Sequence, residues 1–322
     1  MQQRPLGRSG LTVSRLALGT MTWGRDTDPD DAAAQLKFFV EAGGTLLDTA
    51  DVYGDGDAEA VIGTLLEHIG RDEVVIATKA GLTPNGHRRR DGSRGNLLRS
   101  LDRSLRRLGT DHVDLWQVHG YDPQTPFEET LAALDVAVTS GRVRYAGVSN
   151  FAGWQTARAA VWQAAYPGRA PIVAAQVEYS LVQRGIEREL MPAAAALGIG
   201  VLAWSPLGRG VLTGKYRTGR PLDSRAASEH FGPFVRPYLE PRSSSIVEAV
   251  VTAAAGLGVA PLEVALAWVR DRPGVTAVIL GARTAGQLEG ALRSEDLTLP
   301  AEIAAALDDV SAIDFGYPER DD

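Results

Sequence analysis

Cysteine is absent from this 322-residue chain. That excludes disulfides, thiolate nucleophiles and cysteine-held metals. A chain of this length needs no such staples, since it buries roughly 75% of its unfolded surface. Long apolar runs are absent too. Nothing approaches the roughly 18 residues of a membrane span, and the opening Met-Gln-Gln-Arg-Pro leads into no signal-peptide core. The expectation is a cytoplasmic protein with no membrane partner. Positive charge is not in excess either: 40 Asp and Glu against 33 Lys and Arg give a formal net charge of −7, which argues against a nucleic-acid partner. The histidines, His68, His87, His112, His119 and His230, are scattered with no H-x-x-x-H pair, so no metal site is expected. Lysine is the scarcest cation, present only as Lys37, Lys79 and Lys215. A codon bias toward Arg accounts for that. Even so, where Arg is the default, a Lys stands out for chemistry a guanidinium does not easily do, such as a shifted pKa or a Schiff base.

What is present is ordinary for a folded protein: 44% hydrophobic and 23% charged residues exclude disorder as the main state. Eight strand-like runs occupy 15–20, 45–48, 74–78, 113–119, 143–149, 172–178, 200–204 and 275–280. Helical patterns lie between and after them, near 30–42, 57–69, 96–108, 126–140, 152–165, 186–197, 244–256 with 261–271, and 285–293. Alternation of this kind implies parallel strands with right-handed crossovers. Eight repeats match an α/β fold of the (β/α)8 TIM-barrel type, read as one domain over 1–322. An open doubly wound sheet is the competing layout, but the glycine turn it needs after its first strand is missing. Three segments fall outside the repeat: a hairpin at 3–14 that plugs the barrel's bottom, a long loop at 205–242 after strand seven, and a terminal helix at 300–311. Helix starts are expected at Asp28-Pro29, at Thr125-Pro126 with Glu128, and at Thr284 with Gln287.

Active sites of such barrels sit at the C-terminal ends of the strands. Those ends carry Asp48, followed closely by Tyr53, then Lys79, His119, Ser149-Asn150, Gln176, Trp204-Ser205 and Gly281-Ala282-Arg283. Alternation places Val113, Leu115 and Gln117 on the face of His119, Val75 and Ala77 on that of Lys79, and Trp116 and Val118 toward the helices. Taken singly, each polar residue has a structural explanation: a solvated strand-end Lys, a turn-capping Asp, a core Tyr, a packed His. Four titratable groups converging on one mouth is a different matter.

The residues LDTADVYG (47–54), VIATK (75–79), VDLWQVH (113–119), GVSNF (147–151), QVEYS (176–180), AWSPLGRGVLTGK (203–215) and GAR (281–283), in this order, resemble the aldo-keto reductases over nearly the whole chain. The Ser-Pro-Leu-Gly-Arg-Gly stretch and the long loop resemble the bacterial and potassium-channel β-subunit branch. The resemblance implies an oxidoreductase with a catalytic tetrad. Tyr53 is the proton donor, Lys79 lowers its pKa, Asp48 holds Lys79, and His119 orients a carbonyl. It implies NADPH lying across the mouth, touching Gly19, Thr20, Met21, Asp48, Ser149, Asn150 and Gln176. Trp204 stacks on the nicotinamide. Ser205, Leu207, Arg209, Gly210 and Lys215 hold the pyrophosphate, and Gly281, Arg283 and Gln287 lie at the adenosine 2′-phosphate. Related sequences carry an Asn four residues after that Gln; here Ala291 stands. Substrate contacts are expected from Trp23, Tyr53 and His119, with Tyr121 and the 224–240 stretch (His230, Phe231, Phe234, Tyr238) closing over them. The basic loop 87–94 reads as a solvated loop, with an acidic substrate or protein partner as the alternative.

Three functions follow. The first is NADPH-dependent reduction of a small carbonyl compound. The second is a Schiff-base lyase or aldolase using Lys79. The third is a cofactor-binding regulatory subunit with little turnover.

Overall fold

The computed structural model describes residues 1–83, 88–219, 221, 224, 226–228 and 232–317. A short antiparallel hairpin comes first, β1 (Gln3–Pro5) with β2 (Thr12–Ser14). Eight parallel strands then close into a barrel: β3 (Leu16–Gly19), β4 (Leu46–Asp48), β5 (Val75–Ala80), β6 (Val113–Val118), β7 (Val143–Ser149), β8 (Ile172–Glu178), β9 (Gly200–Trp204) and β10 (Val275–Gly281). Helices α1 (Pro29–Glu41), α2 (Asp57–Ile69), α3 (Arg94–Leu108), α4 (Phe127–Thr139), α5 (Gly153–Ala164) and α6 (Leu190–Leu197) alternate with the strands. A short α7 (Gly232–Val235) lies in the long loop, and α8 (Pro241–Leu257), α9 (Pro261–Arg270), α10 (Ala285–Leu292) and α11 (Ala301–Val310) complete the chain. The expected strands and helices are all found, within a few residues. No single helix among the described residues is long and apolar enough to cross a membrane.

The apolar side chains divide as a two-layered barrel requires. Ala17, Leu46, Ala77, Leu115, Leu202 and Ala277 fill the interior, while Trp116, Val118 and their counterparts pack with the helices. Val113, expected inside, packs with the outer layer, because the hairpin takes its place at the barrel floor. Leu6 and Val13, both fully buried, join the interior cluster. The plug is clamped where Arg8 N–H donates to the Gly198 carbonyl at 2.7 Å. Gly7 has φ +59, and a Cβ there would stand 2.4 Å from that same carbonyl, so the approach needs glycine.

Two of the three helix starts follow the expected chemistry. Asp28 accepts from Asp30 N–H at 2.9 Å, and Thr284 from Gln287 N–H at 3.3 Å. The third differs. Thr125 does not cap α4; its hydroxyl donates to Asp122 Oδ2 at 2.6 Å, and Pro126 takes the cap position. The long loop is also more structured than a bare connection, with a 3-10 turn at Gly208–Thr213, then α7, and α8 beginning at Pro241.

Register sets the site. In parallel sheets, paired residues stand at one height, and here Gly281 pairs with Gly19, Gly19 with Asp48, Lys79 with Gln117, Ser149 with Gln176, and Glu178 with Trp204. The polar strand ends therefore form a ring around one mouth.

Candidate active site

Lys79 is fully buried at the end of β5, and its ammonium makes three contacts. It donates to Asp48 Oδ2 at 2.8 Å, to the Thr49 carbonyl at 2.7 Å and to the Tyr53 hydroxyl at 3.4 Å. Asp48 uses its second oxygen to accept from Gln176 Nε2 at 2.7 Å. His119 follows β6, its backbone N–H bonded to the Ala80 carbonyl, and its ring meets Tyr53 edge-on at 6.0 Å between centroids. Its Nδ1 is buried without a partner, which leaves Nε2 as the ring nitrogen for the mouth. The four groups that alternation aimed at one mouth do meet there.

Their electrostatics differ from expectation on one point. Burial pushes the Tyr53 phenol above its ordinary value; Lys79 pulls it down, and Asp48 adds to the rise. The net direction is up, not down, because desolvating a phenolate outweighs one ammonium already shared with a carboxylate. Lys79 itself is pulled down by burial, but Asp48 and Tyr53 together outweigh that, and its pKa is raised. It stays an ammonium at neutral pH. His119 is held well below the usual range by burial first, then by Lys79 and Arg90, so the imidazole is neutral.

Behind the tetrad lies a buried acid pair that the sequence reading passed over. Asp51 precedes Tyr53 by two residues, its N–H donating to the Lys79 carbonyl at 3.1 Å and its Oδ1 buried without a partner. Glu59, fully buried in the first turn of α2, accepts from the Thr78 hydroxyl at 2.7 Å and from Arg107 at 3.3 Å. Burial and the neighbouring Glu59 push Asp51 up to about 7, against Ser100, Arg103 and Arg107. The signal was in the sequence: two acids, in LDTADVYG and at a helix start, facing strand β5. A folded pKa above the unfolded one of about 3.9 means this group favours folding at low pH and loses that contribution as pH rises through 7. Asp51→Asn is therefore expected to gain about 3 kcal/mol more over wild type at pH 8 than at pH 5 in urea unfolding. A pH-independent difference would contradict this.

The expected cofactor residues divide into four groups. Asn150, Gln176, Ser149 and Trp204 are brought together. Asn150 Nδ2 donates to the His119 carbonyl at 3.0 Å and to Ser149 Oγ at 3.2 Å, and its Oδ1 accepts from Trp204 Nε1 at 3.1 Å. Ser205, Leu207, Gly210 and Lys215 form a turn beyond β9. Ser205 Oγ accepts from Arg209 N–H at 3.0 Å, and the exposed Lys215 ammonium would lie 3.3 Å from a Cβ on Gly210. All four non-glycine residues with positive φ among the described residues, Asp55, Asn150, Ser205 and Arg209, sit in these mouth loops, and such strain gathers at functional sites. Gly19, Thr20 and Met21 line β3's exit, with the Thr20 hydroxyl on the Asp48 carbonyl at 3.1 Å. At the fourth group, Gly281, Arg283 and Gln287, backbone donors are already engaged. Gln287 Oε1 takes Arg283 N–H at 3.0 Å, and Asp31 Oδ1 takes Ala285 N–H at 2.8 Å.

Two expected roles are corrected. The Arg209 guanidinium does not face an open cradle; it is bidentate on Glu178 at 3.0 and 2.7 Å and lies 3.5 Å over the Phe234 ring. Only the backbone of Arg209 belongs to the turn. Trp23 does not wall the mouth. It is fully buried, its indole donating to Gln35 Oε1 at 3.2 Å, because helix α1 covers it. Phe234 stacks parallel on Trp204 at 6.3 Å, and Tyr238 lies under Arg209. His87, His230 and Phe231 fall outside the described residues.

The aldo/keto reductase family model matches residues 15–312. An uncharacterized oxidoreductase of Bacillus subtilis (strain 168), YrpG, is 38% identical, with 96% of each chain covered. A probable voltage-gated potassium channel subunit beta of Oryza sativa subsp. japonica is 35% identical over 99% of this chain and 98% of its own. L-glyceraldehyde 3-phosphate reductase of Escherichia coli (strain K12) is 34% identical over 96% and 92%. Both halves of the sequence-level resemblance, bacterial oxidoreductases and channel β-subunits, recur among these relatives, and with the barrel closed around the expected mouth the chain belongs to the aldo/keto reductase family.

Proposed function

We propose that this chain, acting as one domain over 1–322, is an oxidoreductase that reduces an aldehyde or ketone with NADPH. The family and its oxidoreductase relatives support the reaction class. The observation that carries the finer reading is the Lys79 ammonium set between Asp48 and the Tyr53 hydroxyl at 2.8 and 3.4 Å.

The residues at the mouth fit a nicotinamide dinucleotide. Phe234 takes one face of Trp204, so a flat ring stacks on the other. Ser149, Asn150 and Gln176 offer polar atoms for a carboxamide. The Ser205–Gly210 turn brings backbone close to a pyrophosphate, and Lys215 adds charge. When bound, the reduced nicotinamide supplies the hydride. The chain does the rest. The Tyr53 hydroxyl and His119 Nε2 hold the carbonyl oxygen of the substrate. As negative charge grows on that oxygen, Tyr53 gives up its proton, and the Lys79 N–H already pointing at the phenol oxygen stabilises the phenolate. Asp48 keeps Lys79 charged and in place. The raised phenol pKa keeps the proton on Tyr53 until that moment.

Lys79 does not suit the Schiff-base reading. A nucleophilic amine needs a free lone pair, and this ammonium is protonated with three acceptors around it. Borohydride is expected to trap no adduct. Fluorescence titration with NADPH and NADH, followed by a carbonyl panel, tests the proposal; tight binding with no turnover would point to a regulatory subunit instead.

NADPH preference carries its own prediction. Asp31 places a carboxylate on the first turn of α10, where a 2′-phosphate would sit beside Arg283. Asp31→Asn is expected to raise the NADPH-to-NADH affinity ratio about threefold or more, the worth of one charge near a helix start. An unchanged ratio would place the 2′-phosphate elsewhere.

A further inference from the structure

The chain is acidic, yet near His119 a cation stands unpaired by any acid among the described residues. Four carboxylates around the mouth have cations of their own: Asp48 has Lys79 at 2.8 Å, Glu178 has Arg209 at 2.7 Å, and Asp91 and Asp122 share Arg88 at 2.6 and 3.6 Å. Arg90 is left without a carboxylate at ion-pair distance among the described residues, and it is exposed. Its side chain lies against Gly120, the residue after His119. A Cβ there would stand 3.0 Å from Arg90 Nε and 3.5 Å from its Cζ. A side chain at 120 would crowd the guanidinium. One nitrogen, Nη1, donates to the Tyr121 carbonyl at 3.2 Å, which leaves the remaining donors of the fork for a ligand. The charge is near enough to His119 to help hold its imidazole neutral, after burial and Lys79.

The mount is fixed from several sides. Arg90 pairs with Leu82 in an antiparallel bridge, and Asp91 N–H donates to the Gly81 carbonyl at 2.9 Å. Asp122 accepts from Gly92 N–H, Gln124 N–H and the Thr125 hydroxyl at 2.9, 2.9 and 2.6 Å. The Tyr121 ring stands edge-on to Phe151. A cation on a backbone held this way, beside His119 and with no acid at ion-pair distance among the described residues, suits an anionic group.

We propose that Arg90 anchors the substrate, and that this protein prefers aldehydes or ketones carrying a carboxylate or phosphate group. The carbonyl lies at Tyr53 and His119, and the anionic group lies on the Arg90 fork. The inference rests on the carbonyl-reductase reading above.

The test is kcat/KM with NADPH for two matched pairs, 4-carboxybenzaldehyde against 4-methylbenzaldehyde and glycolaldehyde phosphate against glycolaldehyde. Wild type is compared with Arg90→Gln and Arg90→Lys. Wild type is expected to favour the anionic member of at least one pair by about 10- to 100-fold, the range for a hydrogen bond to a charged group. Which pair shows it separates carboxylate from phosphate. Arg90→Gln should bring the ratio near one, and Arg90→Lys should recover part of it, since the charge returns without the fork. Added salt should shrink the wild-type ratio. A wild-type ratio near one in both pairs, or a ratio indifferent to Arg90→Gln, overturns the anchor while neutral turnover keeps the reductase reading. No reduction of any of the four aldehydes removes the reductase reading, and the anchor with it.

Discussion

Tyr53→Phe is expected to lower kcat for aldehyde reduction by about a hundred- to ten-thousandfold, the usual span for a positioned general acid, with NADPH binding retained. The substitution removes one oxygen. The ring keeps its edge contact with His119 at 6.0 Å and its place against the core, so the fold has no reason to change. What is lost is the hydroxyl that the Lys79 ammonium reaches, at 3.4 Å. Without it, charge on the substrate oxygen meets His119 alone, and that imidazole is neutral, so its N–H is a far poorer proton donor than an imidazolium. A stopped-flow trace with the variant and saturating aldehyde reads the effect directly. Turnover within about tenfold of wild type would mean that another group donates the proton.

Lys79→Met should be the costliest single change in the barrel. Methionine approximates the length of the lysine stem but leaves Asp48, 3% exposed, without its cation. Removing one partner of a buried ion pair typically costs about 3–5 kcal/mol, because the charge left behind is neither solvated nor paired. Gln176 Nε2 remains on the other carboxylate oxygen at 2.7 Å but carries no charge. The double variant Lys79→Met with Asp48→Asn removes the stranded charge, so it should recover about 2 kcal/mol of the loss in urea unfolding. It should not recover activity, since nothing then stabilises a Tyr53 phenolate. If the two single costs simply add, the pair is not coupled and the account of Asp48 as the holder of Lys79 fails.

The architecture was largely legible because every part of it obeys a local rule. Strands β7, β8 and β9 were placed to the residue by apolar runs bounded by turns. The mouth followed from asking what stands at each strand's end. The hairpin's role as plug followed from its position before β3, and Leu6 in the barrel interior bears it out. The partners that long or polar side chains choose were less legible. Thr125 reads as a cap until Asp122, three residues back, claims its hydroxyl. Arg209 reads as a phosphate ligand until Glu178 at the end of β8 meets it. Trp23 follows a strand and reads as a wall, but Gln35 on α1 covers it. Spacing says which residues share a face; it does not say which of two nearby acceptors a long side chain will choose. The rise in the Tyr53 pKa was missed for a related reason. Counting charges gave the pull of Lys79, whereas the larger effect is burial, which only the packed structure reveals.

The central claim is that Tyr53, Lys79, Asp48 and His119 act on a carbonyl beside one bound nicotinamide. Its most direct test is a single turnover with enzyme in excess over NADPH deuterated at C4, quenched after mixing with 4-carboxybenzaldehyde and 4-methylbenzaldehyde in separate runs. The account predicts deuterium on the carbinol carbon of the alcohol formed, in wild type and not in Tyr53→Phe on the same timescale. Bound, unconsumed NADPH with no labelled alcohol from either aldehyde would contradict it.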